Sequence, residues 1–441
     1  MMPGAVIQSI PVGVVQLTPL YSINASTLFT NATTLPLWGI NSHATIDDDG
    51  AHPISGATNT AVCQALGATV LRMDICDWPD IETSKGVYSF PHDSSITGVT
   101  TAGITVSVVF AYSNTLYESS YYTGPADATG RTAFVNYANT CVAHYGTSNF
   151  IFEIWNEENI SNGAGQYSWA PAASTTNYSA LVNAAVPAII ASNSSAQIIT
   201  GGLSPGGGSG FIDPDTFVAA IASDITVWSD LAGIGFHPYS YSGNTPDIFT
   251  SLCSSFVSSA GNGKPIYANE VGAPTGSYQA PTEALKAVVI AETLGSAIIS
   301  QVYMCCIYEA ISNTGFGLFS WVDTGGGTFT YSALPAATAM AAITTACAGT
   351  TSFDAAEIST VPLYQITLHK SGSHTHIVWV GQGSTWPPSS AYTYNLTEAS
   401  PPSHVTATDT QNNSVPVAVA GNVVSFDVYG AVGPVIVNVT P

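Results

Sequence analysis

The chain has 441 residues, 46% of them hydrophobic and only 8% charged, and its 6 Lys and Arg against 28 Asp and Glu leave a formal charge of −22. That length suffices for one large domain and a small one, while the missing basic footprint excludes a nucleic-acid partner and adhesion to anionic membranes. A surface built from Ser, Thr, Asn, Gly and Tyr has few bases to repel one another once carboxylates neutralise near their ordinary pKa of about 4, which points to a secreted protein in an acidic exterior.

The opening stretch "MMPGAVIQSIPVG" carries no basic n-region, so no intact signal peptide is read there. No run reaches the roughly 18 to 20 apolar residues of a membrane span. Residues 1–30 read as strands that pack on a β domain further along. From residue 37, apolar and β-branched runs alternate with helical spacing between Gly and Pro punctuation. The strands fall at 37–43, 68–74, 104–110, 149–155, 197–203, 232–239, 265–271 and 301–308. Between the third and fourth, Phe134, Tyr137, Ala138, Cys141, Val142 and Tyr145 recur at helical spacing. Later helices open on a proline, at Asp213-Pro214, Thr245-Pro246 and Leu334-Pro335. Near-continuous apolar strands separated by helices imply a parallel sheet covered on its outside. Eight such units predict an α/β fold, a (β/α)8 TIM barrel over 31–350. Beyond it strand follows strand without helices, in "VPLYQITLHK", "HTHIVWVGQG", "SHVTATDT", "VVSFDVYG" and "PVIVNVT". Residues 351–441 therefore read as an additional C-terminal all-β sandwich domain.

Such a barrel carries its active site at the C-terminal ends of its strands. There the fourth strand ends in Trp155-Asn156-Glu157 and the seventh in Asn269-Glu270. A carboxyl pair across a barrel mouth can act on an acetal as nucleophile and general acid/base, at a separation of about 5 to 5.5 Å when configuration is retained. By alternation Glu153 faces the same side as Trp155 and Glu157 but deeper, as a structural charge, whereas Glu158 points the other way as a loop residue.

The stretch "FEIWNEEN" resembles the "FEVWNEPN" type of sequence in glycoside hydrolase family 39, one of the retaining hydrolases of clan A. "LRMDICDWPDIETSKGVYSF" resembles the same family's second-strand segment, and "GFGLFSW" its last loop. The similarity spans roughly 35–345 and departs at Glu158, where the family usually has proline. The resemblance implies that Glu157 is the acid/base, Glu270 the nucleophile, and Asn156 a ligand of the sugar 2-hydroxyl. It further implies that Arg72 lies near the nucleophile and that His237 and Tyr239 form a sixth-strand pair whose tyrosine bonds the nucleophile. His43, at the end of the first strand, is a candidate substrate contact. Tyr112, Trp169, Phe316 and Trp321 lie in loops expected at the rim, where aromatic faces can stack on sugar rings. The expected partner is a carbohydrate, with no metal and no organic cofactor. Two alternatives are a cellulase or xylanase of the family 5 kind and a non-catalytic carbohydrate-binding cell-surface protein.

Three other features read as structural. Gly202-Leu203-Ser204-Pro205-Gly206 matches G-x-S-x-G, but Pro205 has no N–H to offer an oxyanion. His374 and His376 share a strand face with no third ligand apparent, so an exposed face is expected. The seven cysteines show no C-x-x-C spacing and read as buried thiols.

Overall fold

The computed structural model describes residues 26–45, 53–146, 148–161, 168–206, 209–239, 246–260, 263–277, 280–325, 328–358, 363–381 and 391–441. Strand β1 (Ser26–Ala32) precedes a barrel of eight strands. These are β2 (Leu37–Ser42), β3 (Val70–Met73), β4 (Thr105–Phe110), β5 (Phe150–Ile154), β6 (Gln197–Thr200), β7 (Ile234–Phe236), β8 (Ile266–Val271) and β9 (Met304–Ile307). They pair in parallel in the order β6-β5-β4-β3-β2-β9-β8-β7. Single bridges from Ile199 to Gly233 and from Leu203 to Phe236 join β6 to β7 and close the ring. All eight expected strands are present, each shorter than its apolar run because the residues at the ends leave the sheet to form loops.

Alternation decides what fills the barrel. Val70, Ile151, Ile199, Tyr267, Met304 and Cys306 form one apolar cluster. Two residues beyond Val70 and Ile151 come Arg72 and Glu153, both buried. Outside, helix Ala128–Tyr145 buries Phe134, Tyr137, Ala138, Cys141 and Val142 of the expected stripe, and Asp127 caps its first turn by accepting from Gly130 N at 2.8 Å. Helices Pro214–Asp224, Pro246–Ala260 and Pro335–Cys347 start on the three expected prolines; Thr245 lies outside the described residues.

After β9, a hairpin of β10 (Phe319–Gly325) and β11 (Thr328–Ala333) precedes helix Pro335–Cys347. Then follow β12 (Thr350–Ile358), β13 (Leu363–Lys370), β14 (Ser373–Val380), β15 (Ala391–Thr397), β16 (His404–Asp409), β17 (Val417–Ala420), β18 (Val423–Tyr429) and β19 (Val435–Thr440). They build a six-stranded sheet, β1-β12-β13-β14-β19-β16, and a three-stranded sheet, β15-β18-β17. β1 pairs with β12; the strands expected before residue 26 lie outside the described residues. One face of the larger sheet, including Phe353, Ile366, Leu368, Ile377 and Trp379, belongs to the same hydrophobic cluster as the barrel helices. Gly295 on helix Glu283–Ile299 permits that contact, since a Cβ there would stand 2.9 Å from the Trp379 ring. The opposite face packs Val378, Val380 and Val437 against Leu396, Val424, Phe426 and Val428 of the smaller sheet.

The expected exposed face at His374 and His376 is corrected by this packing. Alternation on β14 puts both on the side of Val378, toward the smaller sheet, and their side chains are 19% and 6% exposed. All seven cysteines are buried free thiols. No described helix is long and apolar enough to cross a membrane.

Candidate active site

Three backbone departures carry the site residues off their strands. On β8 the pairing with β9 shifts register between Ala268 and Val271, an irregularity of the kind that re-aims a side chain. Glu270 thereby turns into the barrel mouth although its neighbour Asn269 is fully buried. After β5, Trp155 and Glu157 take left-handed backbone at φ 74° and 51°, a conformation that large side chains rarely adopt. Simple alternation therefore does not put Trp155 and Glu157 where they are. The turn is held by Trp155 Nε1 donating to Ser168 O at 2.9 Å, by Glu157 N donating to Gly202 O at 3.1 Å, and by Asn159, which exchanges bonds with the backbone of Ser204. Ser204 of the G-x-S-x-G match is thus an anchor of this turn.

Arg72 organises the floor. Its Nε and Nη2 grip Glu153 at 2.8 and 3.0 Å, Nη1 reaches Asn41 Oδ1 and Glu270 Oε2, both at 2.9 Å, and Nη2 reaches Asn156 Oδ1 at 2.8 Å. All five guanidinium N–H groups are thereby used. Glu153 also accepts from Gly202 N at 3.0 Å. Glu270 Oε1 accepts from Tyr239 Oη at 2.9 Å. Burial alone would raise the Glu270 carboxyl, but charge on His237 and Arg72 and the Tyr239 bond outweigh it and hold it below the usual carboxylate range.

Glu157 Oε1 lies 3.1 Å from His237 Nδ1, and His237 Nε2 stands 3.8 Å from Glu270 Oε2. One oxygen of Glu157, one nitrogen of His237 and one oxygen of Glu270 all fall within 4.8 Å of one another. His237 is fully buried and its position depends on Gly202, where a Cβ would stand 2.1 Å from Nε2. Arg72 is the permanent cation that meets Glu270 of this trio.

A cavity of about 280 Å³ opens over these groups, lined by Asn41, His43, Arg72, Tyr112, Asn156 and Glu270 among others. A larger one, about 550 Å³, lies between helix Pro335–Cys347 and the β domain. Its lining contains no carboxylate, whereas Asp74, Asp77 and Glu270 line the smaller cavity.

No protein-family model matches the sequence, and no curated protein sequence matches it. Solved structures do. A family 39 glycoside hydrolase from Bacteroides cellulosilyticus WH2 superposes with a TM-score of 0.70 at 18% identity, over 92% of this chain and 81% of that one. A monomeric β-xylosidase from Caulobacter crescentus CB15 gives 0.64 at 14% identity, over 93% and 98%. A family 39 enzyme from Xanthomonas axonopodis pv. citri gives 0.63 at 13% identity, over 98% and 99%. The fold is that of the family 39 glycoside hydrolases.

Within this glycoside hydrolase fold, Asn156, Arg72, His43, Tyr112 and Glu270 line the cavity, with Glu157, His237 and Tyr239 bonded around it. Tyr112 Oη accepts from Asn156 Nδ2 at 2.8 Å. His43 bridges Asp74 at 2.9 Å and Glu309 at 3.3 Å. The four aromatic expectations part here, and Trp169 needs correction. Trp169 is 1% exposed and packs on Trp155 and Tyr178 beneath the Glu157 turn, so it has no free face for a sugar. Phe316 is half-buried and edge-on to Tyr308, which lines the cavity. Trp321 packs on Phe329 in the β10–β11 hairpin, away from the lining residues. Glu158 is corrected as well: it lies in the turn but is fully buried, and burial, reinforced by Glu153 and Glu157, pushes its carboxyl well above the usual range.

Sequence reasoning missed Asp77, Tyr121 and Tyr308, which also line the cavity. Tyr121 lies in a loop without a periodic pattern, while Asp77, just beyond the second predicted strand, and Tyr308, the last residue of the eighth, stood at strand ends that hinted at the rim. Burial pushes Asp77 up to about 6, against the opposing bonds from Tyr121 Oη and Tyr112 N–H. Its folded form therefore holds a proton more tightly than the open chain, whose Asp titrates near 4. The sign follows: this contribution to stability is full below about pH 4 and is lost as pH rises through about 6, an effect of about 3 kcal/mol. Denaturant unfolding at a series of pH values should show Asp77→Asn flattening the wild-type decline over that window. An unchanged slope would refute the assignment.

Proposed function

We propose that the protein is a retaining β-glycoside hydrolase acting by double displacement, with Glu270 as nucleophile and Glu157 as general acid/base. The observation that carries this reading is the approach of the two carboxyl groups within 4.8 Å across the barrel mouth, with Arg72 and Tyr239 on Glu270 and His237 on Glu157. That spacing suits direct attack and leaves no room for the intervening water of an inverting enzyme.

In the first step a Glu270 oxygen attacks the anomeric carbon as the bond to the leaving oxygen breaks, and Glu157 gives that oxygen its proton. The product is a glycosyl ester on Glu270. Glu157, now a carboxylate, takes a proton from water, whose oxygen attacks the anomeric carbon and restores the Glu270 carboxylate. Arg72 and Tyr239 hold the carboxylate in line and favour its ionised form at both ends of the cycle. Asn156, fixed by Arg72, is poised for the sugar 2-hydroxyl.

The preferred substrates are short β-xylan or β-glucan fragments. A cavity of about 280 Å³ lies at the small end of ligand sites and suits one sugar ring at a time, and one structural neighbour is named a β-xylosidase. Secretion into an acidic exterior belongs to the same reading; it rests on the scarcity of bases and on the raised Asp77 and Glu118 carboxyls, the latter up to about 7 through burial and the charge of Asp127.

The test is an aryl β-glycoside and oligosaccharide screen at acidic pH, with the anomer of the first product followed by NMR. A β-anomer supports the reading; an α-anomer, or glycan binding without hydrolysis, overturns it. Glu157→Gln should lower kcat/KM, which reports the first step, by about 10²- to 10⁴-fold on substrates with poor leaving groups and far less on activated aryl glycosides, whose departure needs no proton. Equal losses on both would remove Glu157 from the acid role.

A further inference from the structure

A second cluster of ligating side chains lies in the β domain, outside the active-site cavity. His374 and His376 project from β14 in the larger sheet, and Glu398 follows directly on β15 in the smaller one. His374 Nε2 is 2.7 Å from Glu398 Oε2, and His376 Nε2 is 3.1 Å from Glu398 Oε1. One donor atom from each residue lies within 4.8 Å of the other two. We infer that these three residues form a structural site for a first-row divalent cation of the zinc type, clipping the two sheets together.

The donor set fits that class: two imidazoles and one carboxylate, leaving a fourth position for water. A tetrahedral ion with bonds of about 2.0 to 2.1 Å holds its ligands about 3.3 Å apart, so the two His–Glu separations of 2.7 and 3.1 Å must open by a few tenths of an ångström while the two imidazole donors, within 4.8 Å of each other, draw together. The surroundings fix each ligand. His376 Nδ1 faces Thr367 Oγ1 at 3.0 Å, an acceptor that would keep the Nδ1 proton and leave the Nε2 lone pair for the ion. Gln365 Nε2, 3.3 Å from the same nitrogen, donates instead to Thr367 Oγ1 at 2.9 Å, and Gln365 Oε1 accepts from Tyr394 Oη. Glu398 is anchored at its backbone, its N–H donating to Asn422 O and its carbonyl accepting from Asn422 Nδ2, both at 2.8 Å. His374, the most exposed of the three at 19%, gives the ion its way in. Its neighbour across the sheet, His369, is engaged with Asp354 at 2.7 Å and stays outside the set. A chain with 28 acidic residues and 6 basic ones also draws divalent cations toward itself.

The full chain, stripped with chelator and freed of it, is titrated with Zn2+ at neutral pH. Calorimetry and elemental analysis after gel filtration should find one ion per chain, and Tm should rise by about 3 °C at a hundredfold excess over Kd. Substituted Co2+ should give the visible absorption of a tetrahedral site. Glu398→Gln should weaken binding by at least about tenfold. Because Glu398 is buried and its variant can unfold, the partly exposed His374→Gln is the second probe and should do the same at unchanged Tm without metal. Hydrolysis should be unaltered in His374→Gln. Absence of binding at about 100 times the expected micromolar Kd, or full binding in both variants, overturns the inference. So does loss of binding in Glu157→Gln instead, which would place the ion at the active-site trio.

Discussion

Glu270→Gln is expected to reduce kcat for an aryl β-glycoside by on the order of 10⁴-fold or more while the protein stays folded. Glutamine keeps the shape of the side chain and its bond from Tyr239, but it lacks the charge that attacks the anomeric carbon. The carboxyl is 16% exposed, so its loss leaves no cavity. Arg72 keeps both bonds to Glu153. Steady-state kinetics with a thermal melt decides the matter. Residual activity above about a tenth of wild type, or a collapse of Tm that accounts for the loss, would take the nucleophile role away from Glu270.

Arg72→Met is expected to destabilise the protein by about 3 to 5 kcal/mol, because it strands Glu153, which is fully buried, without its counter-charge. A second change that removes the stranded charge, Arg72→Met with Glu153→Leu, should recover much of that loss. Denaturation midpoints of the three proteins measure it, and a stable single variant would show the guanidinium to be dispensable. The same variant should reshape the pH profile. Arg72 is one of the groups that hold the Glu270 carboxyl below the usual carboxylate range. A depressed carboxyl stays ionised further into acid, so removing the guanidinium must move the acid limb of kcat/KM to higher pH. A limb that stays in place would mean that His237, Tyr239 and His43 hold the Glu270 carboxyl down without the guanidinium.

Much of this site was legible from strand ends. Eight apolar runs with helical spacing between them left few alternatives to a barrel, and a barrel directs attention to Glu157 and Glu270. What the sequence did not convey was side-chain direction. Glu270 faces the mouth because of a register shift, and Trp155 and Glu157 leave β5 through left-handed backbone, which no period of two describes. Trp169 looked like a rim aromatic because loops are read as exposed, yet it packs under Trp155. The His-Glu-His cluster was invisible for another reason: Glu398 lies 22 residues beyond His376, on a different sheet, and only the packing of the two sheets unites them.

The contact between Gly295 and Trp379 bears on how the molecule can be divided. Because Phe353, Ile366, Leu368, Ile377 and Trp379 complete the hydrophobic cluster of the barrel helices, residue 350 is no seam. A chain cut there would bare an apolar flank along Glu283–Ile299 and Pro335–Cys347, and it would be as prone to aggregate as a barrel missing one of its own helices. The β domain thus forms part of the wall that covers the barrel's outer helices.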